Sequence, residues 1–120
     1  MAKVLIGGNS KIRSITADST LCFSVTIGAT VLPLATLPPF DVEIYVENRE
    51  SEKVECSFNG TTKTNLTIED NGEVTCYIPS NYFSVGGRLH MRLTTYNPNE
   101  NFLDGTCDDV VIVDTDYRIE

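Results

Sequence analysis

Between Asp41 and Pro79 apolar and polar residues alternate so regularly that few folds can accommodate the chain. Val42, Ile44 and Val46 are interleaved with Glu43, Tyr45 and Glu47, the two-residue period of a strand with one wet and one dry face. A charged connection from Glu47 to Lys53 leads to Val54, Cys56 and Phe58, which alternate with Glu55 and Ser57. Asn59-Gly60 marks a turn, since both residues tolerate positive φ. Leu66 and Ile68 then alternate with Asn65, Thr67 and Glu69, Asp70-Asn71-Gly72 reverses the chain, and Val74, Cys76 and Ile78 return on the dry face. A period of two cannot line one face of a helix, so this stretch predicts an antiparallel meander with one buried side.

The rest of the chain continues the pattern. Leu21, Phe23, Val25 and Ile27 alternate with Cys22, Ser24 and Thr26, and Leu89, Met91 and Leu93 alternate with Arg88, His90 and Arg92. Pro79 to Gly87 reads as a compact turn with Tyr82, Phe83 and Val85 folded under, and Asn97 to Gly105 as a long polar loop. Val110 to Val113 and the closing Tyr117-Arg118-Ile119 read as two further short pieces of strand. The expected architecture is all-β, an antiparallel Ig-like β-sandwich of about 7–9 short strands. A chain of 120 residues is long enough for one such domain with a core of its own. Residues 15–120 are assigned to it, and residues 1–14 to an N-terminal arm or edge strand.

Composition narrows the function. Charged residues make up 22% and apolar ones 41%, a balance that points neither to disorder nor to a membrane. The formal charge of −8 argues against nucleic acid, whose binders need a basic face to displace counterions. No apolar run near Met1 is long enough for a secretory leader. On that basis Asn59-Gly-Thr61 and Asn65-Leu-Thr67 are chance sequons. The cysteines Cys22, Cys56, Cys76 and Cys107 lack the close pairing of a zinc knuckle. Buried, reduced thiols suit their strand positions, and a Cys56–Cys76 bridge is open if their strands are neighbours.

Catalytic groupings are not apparent. His90, the single histidine, lies between two arginines and has no partner for a relay. Asn97, Asn99 and Asn101 alternate like the start of a calcium loop, but Phe102 stands where such a loop needs glycine. Asp108 and Asp109 are adjacent and would point to opposite faces of a strand. The expectation is a protein with no enzymatic activity, no cofactor and no metal.

Contact surfaces are the remaining signal. Residues Ser19 to Phe40 carry no charge, and the second half of that span is broken by Pro33, Pro38 and Pro39, which exclude a membrane helix and a central strand. Its Val31, Leu32, Leu34, Leu37 and Phe40 either cap the core or form an apolar contact site for another chain. The opening segment holds three bases, Lys3, Lys11 and Arg13, and no acid, whereas residues 104–120 hold six acids and one base. This asymmetry suits oriented contacts between copies or with a partner. The candidate interface is therefore Lys3, Lys11, Arg13, Val31, Leu32, Leu34, Leu37 and Phe40. The tyrosines Tyr45, Tyr77, Tyr82 and Tyr96 supply an alternative, a stacking platform for a carbohydrate or receptor.

The run Phe40-Asp-Val-Glu-Ile-Tyr-Val46, followed by Val54-Glu-Cys-Ser-Phe-Asn-Gly60, resembles a small β-sandwich domain in virion proteins of tailed phages of gut Bacteroides-type bacteria, including the crAss-like group. Glu73-Val-Thr-Cys-Tyr-Ile-Pro79, Gly87-Arg-Leu-His-Met-Arg-Leu93, Phe102-Leu-Asp-Gly105 and the closing Asp114-Thr-Asp-Tyr-Arg-Ile119 follow the same order. The similarity spans Ile15 to the end, and its motifs are turns and strands. It implies a virion location and a structural role, with the major capsid protein or other virion subunits as partners and many copies in a larger assembly. In that family the module often opens longer fibre or baseplate proteins. A chain ending after the module fits an auxiliary capsid protein better, with a tail, baseplate or head-fibre adaptor as the alternative.

Overall fold

The computed structural model describes residues 2–6, 13–14, 18–27, 30–79, 82–98, 101, 103 and 105–119. They form eleven strands: β1 (Ala2–Ile6), β2 (Arg13–Ser14), β3 (Ser19–Ile27), β4 (Thr30–Val31), β5 (Phe40–Val46), β6 (Arg49–Phe58), β7 (Lys63–Thr64), β8 (Leu66–Ile68), β9 (Val74–Ile78), β10 (Gly87–Pro98) and β11 (Thr106–Ile119). One sheet runs β1-β3-β9-β8, with β4 beside β3; the other runs β2-β11-β10-β5-β6-β7. Every pairing is antiparallel except the short parallel contact of β2 with β11. The order β1-β3-β9-β8 corresponds to strands A-B-E-D, and β11-β10-β5-β6-β7 to G-F-C-C′-C″, of a variable-type immunoglobulin sandwich, with β2 added beside β11. The expected all-β sandwich is what the chain forms.

The alternation identified in the sequence is what builds the core. Leu21, Phe23, Val25, Leu66, Ile68, Val74, Cys76 and Ile78 face inward from the first sheet; Phe40, Val42, Ile44, Val54, Cys56, Phe58, Leu89, Met91 and Leu93 face them from the second. Phe40 sits at the centre, its ring 6.1 Å from Phe23 in a T-shaped contact and 5.7 Å from Phe58. The core lacks two marks of antibody domains, for there is no tryptophan in the chain. Leu21, Phe23 and Val25 of β3 and Leu89, Met91 and Leu93 of β10 occupy the positions where such domains place an inter-sheet disulfide.

Several expectations need correction. The stretch from Asp41 to Pro79 is not one meander but two hairpins in opposite sheets, β5–β6 and β8–β9, with the chain crossing over between them. Asn59-Gly60 turns β6 back onto β7 in the same sheet, with the Asn59 side chain accepting from the backbone N–H of Thr61 and Thr62 and Gly60 at φ 102°; the chain changes sheets at Asn65 (φ 58°), between β7 and β8. The charged connection is a tight turn at Glu47-Asn48, with Asn48 at φ 64° and Arg49 already in β6. The two pieces expected near the C-terminus are a single strand, β11, which with β10 forms the longest ladder in the fold. Its alternation was hidden because the wet face carries Val110 and Ile112 as well as Asp108 and Asp114, so the apolar letters run unbroken from Val110 to Val113. Of the two alternatives for residues 1–14, residues 2–6 and 13–14 take the edge-strand one, β1 against β3 and β2 against β11.

The uncharged loop is the largest correction. Leu37 and Phe40 are buried, and Leu32 and Leu34 pack half-buried against the core, so only Val31 of the proposed apolar contact residues lies exposed. Backbone hydrogen bonds strap the loop down: Leu32 N–H donates to Val25 O (2.9 Å) and Leu34 N–H to Asp70 O (3.2 Å). The loop crosses the Asp70-Asn71-Gly72 turn so closely that a Cβ on Gly72 would stand 1.9 Å from Leu32 O. Gly72 also has φ of 94°, which favours glycine on its own account. An uncharged, proline-rich segment is what a lid over a sandwich end requires, because its apolar side chains turn in and proline fixes its path.

Two consequences can be measured by urea denaturation. Phe40→Ala should cost about 3–5 kcal/mol, the usual range for a buried phenylalanine. Gly72→Ala and Gly105→Ala should each cost about 1–3 kcal/mol from backbone strain, since both glycines have positive φ (94° and 78°), and Gly72→Ala should cost more because only there does a Cβ meet a backbone oxygen.

Candidate interaction surface

The outer face of the second sheet carries most of the charged side chains whose contacts are defined. Register sets them in rows across β11, β10, β5 and β6: Val110, Thr94, Asp41, Ser57; then Ile112, Arg92, Glu43, Glu55; then Asp114, His90, Tyr45, Lys53. Glu43 lies at the centre. Lys53 Nζ approaches one of its carboxylate oxygens to 2.5 Å and Arg92 Nη1 the other to 3.0 Å, while Glu55 stands 3.7 Å from Lys53. Arg88 pairs with Asp114 at 2.6 Å. Tyr45 points outward yet is buried, because the Arg92 guanidinium lies 5.4 Å above its ring and the His90 ring 5.9 Å away.

The two cations, Lys53 foremost, hold the Glu43 carboxyl below its ordinary 4.5, and Glu43 in turn raises Lys53 and Arg92. The depressed acid contributes stability above the ordinary carboxylate range and loses it as pH falls through its lowered pKa. The raised Lys53 contributes below its ordinary 10.5 and loses its share as pH climbs past that value. These groups are half-buried at the surface, where solvent and salt still screen both effects.

Beside this cluster is an open hollow of about 420 Å³ lined by Asp41, Glu43, Glu55, Ser57, Thr64, Thr94 and Tyr96 among others. The Tyr96 hydroxyl donates to Asp41 Oδ2 at 2.5 Å, and that carboxylate pushes the phenol up to about 12. Among the described residues no group of three or more His, Cys, Asp or Glu side chains is arranged to hold a metal. Nor do the tyrosines form one platform. Tyr45 is covered, Tyr96 is tied to Asp41, Tyr77 lies outward on β9 in the other sheet, and the Tyr82 hydroxyl donates to Lys53 O.

The exposed apolar residues are distributed unevenly. Val31, Tyr77, Tyr82, Leu103, Val110 and Ile112 are the large hydrophobic side chains left in solvent among the described residues, and Leu103, Val110 and Ile112 all belong to the β10–β11 hairpin. Val110 and Ile112 are two residues apart on the same face, 55% and 59% exposed, with exposed Asp108 and Asp114 flanking them. The only described strand along the outer edge of β11 is β2, at Tyr117 and Arg118. Reading the sequence for loops missed this patch, although Val110-Val-Ile-Val113 is an unbroken β-branched run and could have signalled it. Of the basic residues expected at an interface, Lys3 is in β1, Arg13 is in β2, and Lys11 lies outside the described residues. No family model, curated protein or solved structure matches this chain.

The Tyr96–Asp41 contact can be checked by titration. The tyrosinate absorbance lost on Tyr96→Phe should develop near pH 12 in the parent protein and move back toward 10 in Asp41→Asn. Because the phenol is raised, the contact contributes below about pH 10 and disappears between 10 and 12.

Proposed function

We propose that this chain is a structural, non-enzymatic subunit that works by binding other proteins, as an auxiliary protein on the capsid shell of a tailed phage. The observation that carries the binding role is the concentration of exposed apolar side chains on one hairpin, Leu103, Val110 and Ile112. Apolar residues adjacent on a solvent-facing strand, rimmed by acids, are what a small interface centre needs. The virion setting rests on the resemblance of the strand and turn signatures from Phe40 to Ile119 to tailed-phage sandwich modules. The partner it commits to is a shell subunit presenting an apolar strip with basic flanks, complementary to Asp108 and Asp114 and to a net charge of −8. A tail or baseplate adaptor would use the same surface.

Counting copies separates these positions. Quantitative mass spectrometry of purified particles should find the protein in numbers comparable to the major capsid protein. A handful per particle would move it to the tail, and absence would end the virion reading. The surface is tested by Val110→Asp combined with Ile112→Asp. Both sites are exposed, so unfolding free energy should change by no more than about 1 kcal/mol, while incorporation into particles is lost. Normal incorporation of this folded variant would remove the hairpin from the interface.

A further inference from the structure

Two of the four cysteines meet across the core. Cys56 points inward from β6 of one sheet and Cys76 from β9 of the other, and both are essentially without solvent contact. They are held in register by Asn65, which takes a left-handed backbone conformation (φ 58°) just before β8. Its Nδ2 donates to Tyr77 O at 3.0 Å and reaches Cys56 Sγ at 3.5 Å, and its backbone oxygen accepts from Tyr77 N–H at 3.2 Å. One side chain thus ties the residue after Cys76 to the sulfur of Cys56, and the two thiols share one buried cluster, close enough to shift each other's titration in opposite directions. Cys22 and Cys107 stand apart from this pair: Cys22 points outward to the Thr75 hydroxyl at 3.4 Å, and Cys107 lies on β11.

The geometry points to Cys56 and Cys76 as the two halves of an inter-sheet disulfide, open in this structure, that closes when the folded protein meets a low-molecular-weight disulfide such as oxidised glutathione. The bridge would join β6 to β9, whereas immunoglobulin domains join the strands equivalent to β3 and β10. The chain fills those latter positions with Leu, Phe, Val and Met. Closure proceeds by two exchanges. The Cys56 thiolate attacks one sulfur of the oxidised glutathione and expels one glutathione thiolate. Cys76 then gives up its proton, its sulfur attacks Cys56 Sγ, and the second glutathione thiolate leaves. The protein loses two hydrogens and two molecules of glutathione appear. Cys56 is suited to act first, because the Cys76 thiol and the Asn65 amide hold its pKa down, while the same contact pushes Cys76 up. Because both thiols are buried, the first exchange requires local opening at the edge of the sandwich, where only the two-residue β7 lies outside β6 and β8 is the last strand of its sheet.

The experiment uses the whole chain, incubated folded with oxidised glutathione and, in parallel, with a reductant. Intact mass should fall by two hydrogens, free thiols counted after denaturation should drop from four to two, and non-reducing peptide mapping should join the Cys56 peptide to the Cys76 peptide. A bridge closing a loop of about 20 residues should also raise Tm by roughly 10 °C, reversibly with dithiothreitol. Cys22→Ala should keep that rise and Cys76→Ala should abolish it. Four thiols remaining free, a stable glutathione adduct, or a link through Cys22 or Cys107 would each overturn the assignment. Mapping of the unmodified protein decides it even if Cys76→Ala does not fold.

Discussion

Phe40 is where the two sheets are joined. It opens β5, pairs in register with Phe58 and Thr95 in its own sheet, and packs edge-on against Phe23 of the other. A sandwich is stable only when the dry faces of both sheets are buried against each other, and this ring fills the space between them. The uncharged loop before it exists to bring the chain there. Its hydrogen bonds to Val25 and Asp70 lock the crossing from the first sheet to the second, and Gly72 leaves the room for it. Apolar surface that looked available to a partner is therefore consumed in closing the end of the fold.

The same economy shapes the outer surface. On the second sheet the middle rows are occupied by charges that satisfy one another, with Glu43 between Lys53 and Arg92 and Tyr45 beneath them. Such a network is screened and contributes modestly to stability, but it leaves little apolar area there. On the β10–β11 hairpin the pattern reverses, and Val110 and Ile112 stand in solvent between aspartates. Acidic neighbours on an edge-like strand discourage indiscriminate pairing while leaving a partner of matching shape and charge able to bind. The interior thiol pair belongs to a different part of the molecule, on the opposite side of the second sheet from the charge network.

Much of the fold was legible because its signal is local. Alternation from Val42 to Ile78, from Leu21 to Ile27 and from Leu89 to Leu93 depends only on which side chains face water, and every one of those inward assignments for which burial is defined appears in the core. The turns at Asn59-Gly60 and Asp70-Asn71-Gly72 were legible for the same reason. β11 was read in pieces, since its wet face mixes Val110 and Ile112 with Asp108 and Asp114 and so shows no two-residue period. The contact surface was less legible: an apolar residue in a loop and one on an outer strand face carry the same letter, and burial alone tells them apart.

An all-β chain with a two-residue period, its inward faces and the positions of its turns are written in the order of the residues alone, because they follow from the covalent geometry of a strand and the preference of apolar groups to leave water. Which strands share a sheet, that Leu37 and Phe40 turn in while Val110 and Ile112 turn out, and that Cys56 and Cys76 enter one core from opposite sheets emerge when the chain folds. Those outcomes are contacts between residues distant in the chain, and no local pattern encodes which of several dry faces will meet.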